Sequence, residues 1–180
     1  MGKRDFDNEG AIADFTEAIR QCTEASRRYT EAPLSATLAP NSTVSNSDVL
    51  GTLAAFEVLA YYNRAIAMEQ KGDMDGIIAD FTKAIELRGA ALRTPRDDLR
   101  TLVAALDCAR AYRERGNARA TKHDLIGAIA DYTAAIELDP ADADSYYNRG
   151  SAKGNSGDGN GARADHSKAF QLKPDLPYPR

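Results

Sequence analysis

The stretch GAIADYTAAI at 127–136 is written four times in this chain. GAIADFTEAI stands at 10–19, GIIADFTKAI at 76–85 and a worn copy, GARADHSKAF, at 161–170. Self-similarity at intervals of 66, 51 and 34 residues constrains the fold more than any other feature. It implies one supersecondary unit, repeated and stacked, in place of a single irregular core. Within 127–138 the apolar residues Ala128, Ile129, Tyr132, Ala135 and Ile136 fall on one stripe of an amphipathic helix. Pro140 cannot continue that helix and marks its end. The small residues Gly116 and Ala128 let two helices approach, with Tyr132 filling the space beside them. A lone hairpin of this kind cannot bury its apolar face, whereas a stack can.

The longer intervals exceed the last one by 32 and 17 residues. Both insertions fall between the second helix of one unit and the first helix of the next. The helical pattern runs through them, so they lengthen helices. The apolar positions and breakers predict helices over about 8–28, 48–70 (with Ser47 as N-cap), 74–91, from Thr94-Pro95 to about 120, and over 124–137, 142–155 and 160–172. The face of the fourth carries Leu99, Leu102, Val103 and Leu106. A Ser-, Thr- and Pro-rich loop covers 30–48, and the tail KPDLPYPR is extended. A helix of 25 residues is about 38 Å long, against about 20 Å for an ordinary repeat helix. The insertions therefore form a ledge, which either packs on itself as extra core or offers a docking or dimer surface.

Residues 109–142 carry Tyr112, Gly116, Ala128, Tyr132, Ala135 and Pro140, and 143–176 carry Tyr146, Gly150, Ala162, Ala169 and Pro174 at the same spacing. Residues 58–91 carry Tyr61, Ala65, Phe81 and Ala84, with Gly89 where the closing proline would stand. These units resemble the tetratricopeptide repeat, in a style similar to bacterial members. The resemblance implies an all-α tetratricopeptide-repeat α-solenoid of antiparallel helix pairs in a right-handed superhelix. It divides the chain into a leading half repeat with only its second helix (1–29), a loop and helix extension (30–57), a unit (58–91), a second extension (92–108), a unit (109–142), a degenerate unit (143–176) and a tail (177–180).

Composition narrows the function. The chain is 43% hydrophobic and 28% charged with a net charge of −4 and a pI near 5.2, which argues against a phosphate-binding surface. No apolar run reaches the roughly 20 residues of a membrane span, and the start has no secretory h-region, so a cytoplasmic location is expected unless a signal has been removed. The sequon Asn41-Ser42-Thr43 matters only in a secreted chain. Cys22 and Cys108 read as small buried hydrophobes. His123 falls in a turn, and His166 takes the place of Phe15, Phe81 and Tyr132 as a packing residue. No nucleophile elbow, phosphate loop or metal-ligand spacing is present, and NSGDGNG at 155–161 lacks the ligand alternation of a calcium loop. No catalysis, cofactor or metal is expected. Asp14, Asp80, Asp131 and Asp165 recur with Arg64, Arg115 and Arg149, a pattern that suits repeat-to-repeat salt bridges.

The resemblance further implies that the first helices line a groove for an extended peptide or a partner helix. Its residues are Leu59, Tyr62, Asn63, Ile66, Glu69 and Gln70; then Arg110, Arg113, Glu114, Asn117 and Thr121; then Asp144, Tyr147, Asn148 and Ser151. Asparagine can donate to and accept from a peptide backbone. Arg113, Asn117 and Asn148 match three elements of the clamp with which some co-chaperone members hold a C-terminal carboxylate, with arginine for the usual lysine and no basic pair from a further unit. The expected function is a non-catalytic protein-interaction module, an adaptor or scaffold. The alternative is self-association through the ledge and the first helix, whose missing partner leaves three explanations: a longer parent chain, coverage by the 30–48 loop, or a second copy.

Overall fold

The repeated aspartate–glycine spacing sets where the helices begin. In the computed structural model, which describes residues 8–31, 46–92 and 99–175, the Asp73 side chain accepts from the Gly76 amide (3.0 Å), Asp124 from Gly127 (2.9 Å) and Asp158 from Gly161 (2.8 Å). Each caps the helix that follows and satisfies an amide with no intrahelical partner. The glycine that opens the repeated motif is the residue this cap requires, because a Cβ there would run into the aspartate carboxylate.

All regular structure among the described residues is helical: α1 (Asn8–Glu31), α2 (Asn46–Glu69), α3 (Met74–Leu92), α4 (Leu99–Thr121), α5 (Leu125–Leu138), α6 (Ala143–Asn155) and α7 (Gly159–Leu172). The bounds agree closely with the periodicity. One N-cap does not: α2 opens at Asn46, so Ser47 stands inside its first turn. The Thr94-Pro95 start, most of the 30–48 loop, the sequon, the end of the tail and the apolar face from Leu99 to Leu106 lie outside what is described.

The chain divides into two compact units at Arg88–Gly89. In the first, α1 and α2 run antiparallel. Asn8 bonds Gln70 (2.7 Å), Glu9 pairs with Lys71 (2.8 Å), Arg64 donates to Thr16 (3.0 Å) and Thr23 donates to Glu57 (2.9 Å). The last pair lies in the lengthened parts of both helices, so this part of the ledge packs on itself. α2 and α3 then form a complete hairpin around Phe81, whose burial stabilises the unit by about 2 kcal/mol. In the second unit α4 and α5 make one hairpin and α6 and α7 the next. Ala128, Tyr132 and Ala152 form the core between them, flanked by Ala120, Leu125 and Ile129. Gly116 lies flat against the Tyr132 ring, where an added Cβ would sit 2.7 Å from a ring carbon. α5 ends at Leu138, just before Pro140.

Three of the four recurring aspartates, Asp80, Asp131 and Asp165, are buried, and their arginines come from the same hairpin, which corrects the repeat-to-repeat expectation. Arg64 grips Asp80 (2.7 and 2.6 Å), Arg115 grips Asp131 (3.0 and 2.7 Å) and Arg149 grips Asp165 (both 2.8 Å). A separation of sixteen residues spans one antiparallel helix pair, and bidentate geometry suits a planar guanidinium. Each arginine also lies 5.3–5.5 Å from the centroid of the tyrosine three residues before it, Tyr61, Tyr112 or Tyr146. The link between repeats is a weaker bond to a threonine of the preceding second helix. Arg64 reaches Thr16 (3.0 Å), and Arg149 reaches Thr133 (3.2 Å).

Candidate functional site

The second unit sets the first helices of two successive hairpins, α4 and α6, side by side, and their facing side chains form a connected polar row. Asp142 starts it. As the N-cap of α6 it accepts from the amides of Asp144 (3.2 Å) and Ser145 (3.3 Å) and from the Ser145 hydroxyl (2.7 Å). Its second oxygen also takes Arg113 Nη1 at 2.9 Å. The other edge of that guanidinium meets Glu114 (3.2 Å). Burial works against the charge of Arg113, but Asp142 and Glu114 outweigh it and hold the guanidinium protonated more firmly than in water.

Asn117 continues the row and is nearly saturated. Its amide donates to Glu114 (2.9 Å), and its carbonyl accepts from the Tyr132 hydroxyl (2.8 Å) and from Asn148 Nδ2 (3.0 Å). The Tyr132 hydroxyl ionises less readily than usual, chiefly from desolvation and then from the Glu114 and Asp131 carboxylates, so it stays a donor. Asn148 differs. One N–H is spent on Asn117, whereas its carbonyl and second N–H have no bond among the described residues. Beyond it Tyr147 stacks on His166 (5.0 Å between centroids), and Ser151 lies 3.3 Å from His166 Nε2 while donating to the Tyr147 carbonyl. His166 is half-buried over Gly150, the packing role expected of it.

The structure therefore brings Arg113, Glu114, Asn117, Tyr147, Asn148 and Ser151 onto one surface. Arg110 is exposed at an earlier turn of α4, Thr121 caps back on the Asn117 carbonyl, and Asp144 pairs loosely with Lys173 (3.6 Å). In the first unit, α2 carries the corresponding set. Tyr62 packs edge-on against Phe81 (5.3 Å), Asn63 is half-buried, Glu69 and Gln70 are exposed, and Leu59 (53%) and Ile66 (39%) leave apolar surface open. Sequence reasoning missed Asp142, the anchor of Arg113. The spacing Asp142-x-x-Ser145 is an N-cap signature that could have revealed it.

Among the described residues no group of three His, Cys, Asp or Glu is placed to hold a metal ion, and no helix is long and apolar enough to cross a membrane. Cys108 is buried as expected. Cys22 is only half-buried.

Two family profiles match the hairpins just described: a tetratricopeptide repeat over 58–90 and a TPR repeat over 109–157. The chain carries tetratricopeptide repeats. A Tyr-Arg-Asp cluster closes each of the three hairpins, and in the second unit a glycine, Gly116 or Gly150, lies under the ring that faces it. Among solved structures the TPR chain is similar to MamA, with 17% identity and a TM-score of 0.53, covering 93% of this chain and 90% of that one. It is also similar to BtubC (BKLC) from P. vanneervenii, with 14% identity and a TM-score of 0.54, covering 98% and 96%. At these identities the likeness is one of fold. No curated protein gives a significant sequence match. Repeats of this family on an all-helical scaffold support a protein-interaction module.

Proposed function

We propose that the chain is a non-catalytic adaptor or scaffold whose first-helix face binds an extended segment of a partner protein through that segment's main chain. Asn148 carries the reading. It is a half-buried amide, fixed by one bond to Asn117, with a donor and an acceptor left over beside the Tyr147 ring. A peptide backbone presents the complementary pair at each residue. The α2 face, with Asn63, Tyr62 and Ile66, offers a second such strip. Arg113 and Asn117 match the carboxylate clamp in type, yet Arg113 already serves two carboxylates and Asn117 is already bonded three times. An incoming carboxylate would meet Glu114 and Asp142 beside the arginine, so the groove reads internal segments.

The test is a titration with a library of extended peptides, each made with a free and an amidated C-terminus. Binders are expected to be indifferent to amidation. Asn148→Ala removes two hydrogen bonds of about 1 kcal/mol each and weakens them about tenfold or more. Binding that disappears on amidation, or that ignores Asn148→Ala, overturns the reading.

A further inference from the structure

The first helix carries the same motif as α3, α5 and α7 but buries only Ile19 of it. Where Asp80, Asp131 and Asp165 are buried against arginine, Asp14 is exposed. Where Phe81 and Tyr132 are buried, Phe15 is half-open. Ala18 is likewise half-open, against Ala84, Ala135 and Ala169 at 2%, 0% and 1% exposure. One side of α1, with Thr16, Ile19 and Thr23, is occupied by α2. The adjoining side runs Ala11, Phe15, Ala18, Cys22, Ala25 and Tyr29. These steps of four and three are the heptad spacing of a helix made to pack on another helix.

The order of residues in that stripe identifies the occupant. Its two large residues, Phe15 and Tyr29, stand among small ones, and the positions are arranged symmetrically about Arg20. Phe15 and Ala25, Ala18 and Cys22, and Ala11 and Tyr29 are each equidistant from it. An antiparallel copy of the same helix therefore sets every large side chain against a small one in a single register, as close packing requires. The flanking charges agree. Asp14 and Arg28 are equidistant from Gln21 and lie on the same edge of the stripe, so each Asp14 meets the other copy's Arg28. Arg28 is 74% exposed, and its present partner is Glu24 in the same helix, a surface pair that exchanges at little cost.

We propose that α1 is a dimerisation helix, in which two copies of this chain pair their α1 stripes antiparallel about a two-fold axis at the level of Arg20. The second copy's α1 takes the place held in the complete hairpins by an antiparallel first helix, and Arg28 takes the role of Arg64, Arg115 and Arg149. The contact is isologous and closes on itself, so it ends at a dimer. It uses α1, whereas the peptide-binding residues lie on α2, α4 and α6.

The test uses the full chain. Its mass is followed by analytical ultracentrifugation from low to high micromolar concentration and is expected to double from 19.5 kDa. Asp14→Arg breaks two symmetric ion pairs and weakens the dimer roughly tenfold. Adding Arg28→Asp to it restores the dimer. Ala18→Cys places a thiol opposite Cys22 of the other copy, and mild oxidation should give a covalent dimer on a non-reducing gel. Cys22→Ser in the same chain should abolish it. Burial, and then Glu57, push the Cys22 thiol upward, so the oxidation is run at alkaline pH. Far-UV circular dichroism of each variant checks that the helices are intact. Asn148→Ala is expected to leave the mass unchanged, which separates this proposal from the peptide-binding one. A mass of 19.5 kDa at every concentration overturns the proposal, whether loop 30–48 or a helix of another protein covers the face. So does a dimer that ignores the charge swap and does not cross-link.

Discussion

Replacing the motif aspartate by asparagine in each of the four copies tests whether the hairpins are held by their buried ion pairs. The change keeps the side chain's shape, removes its charge and turns an acceptor oxygen into an amine facing a guanidinium. Asp131 is 2% exposed and takes Arg115 through two nitrogens and Arg119 through one (2.9 Å). Asp165 is 6% exposed and holds Arg149 and Lys153 (2.9 Å). Asp80 is 4% exposed and holds Arg64. Breaking a buried pair costs about 3–5 kcal/mol because the remaining charge is left uncompensated. The cations here keep some contact with water, from 12% for Arg115 to 26% for Arg119, which places the cost at the low end. About 3 kcal/mol is expected for Asp131→Asn and Asp165→Asn, and about 2 kcal/mol for Asp80→Asn, which strands one cation in place of two. Asp14→Asn should leave the unfolding curve where it is. For a unit of this size about 3 kcal/mol lowers the melting temperature by more than 10 °C. Far-UV circular dichroism melts, run dilute enough for single copies to dominate, read all four directly. Four equal shifts, or an Asp14 effect as large as that of Asp131, would refute the burial argument.

Two further outcomes follow from the turns and the charges. His123 has φ of +63° where the equivalent turns use Gly72 and Gly157 at +71° and +95°. His123→Gly should therefore stabilise the second unit by about 1 kcal/mol, seen as a rise of several degrees in its melting temperature. The Asp165 carboxyl lies below its ordinary value. Burial pushes it up, but hydrogen bonds from Arg149 and Lys153 pull it down further. Its folded pKa is thus below its unfolded one, so its contribution is complete above about pH 4 and is lost as pH falls through the folded value. Urea midpoints taken from neutral pH to pH 2 should fall less steeply in Asp165→Asn than in the parent chain.

The helices were legible because their signals are local. A stripe of period 3.6, an aspartate three residues before a glycine, and Pro140 act within one or two turns. The ion pairs were legible only as a recurrence. Nothing along the chain says that Asp131 answers to Arg115 until α4 and α5 are folded back on one another, so the recurrence alone suits a link between repeats as well as one within the hairpin. The peptide-binding face shows the same division more sharply. Asn117 and Asn148 are the same letter at different places of successive units, since Asn148 corresponds to Glu114 and Asn117 to Ser151. Tyr132, Glu114 and Asn148 itself consume the bonding capacity of Asn117, while Asn148 keeps half of its own.

The four motif copies make the physical reason explicit. One sequence pattern gives a buried, doubly paired Asp131 and an exposed Asp14, a buried Phe81 and a half-open Phe15. Pattern sets which side of a helix seeks cover, and only the neighbouring helix decides whether it is covered. The burial of the motif aspartate therefore reports whether its hairpin is complete. α3, α5 and α7 are complete, and α1 keeps a place for one more antiparallel helix. Its own stripe, with an alanine opposite each large residue and an aspartate opposite an arginine, has the shape and charge to fill that place in a second copy.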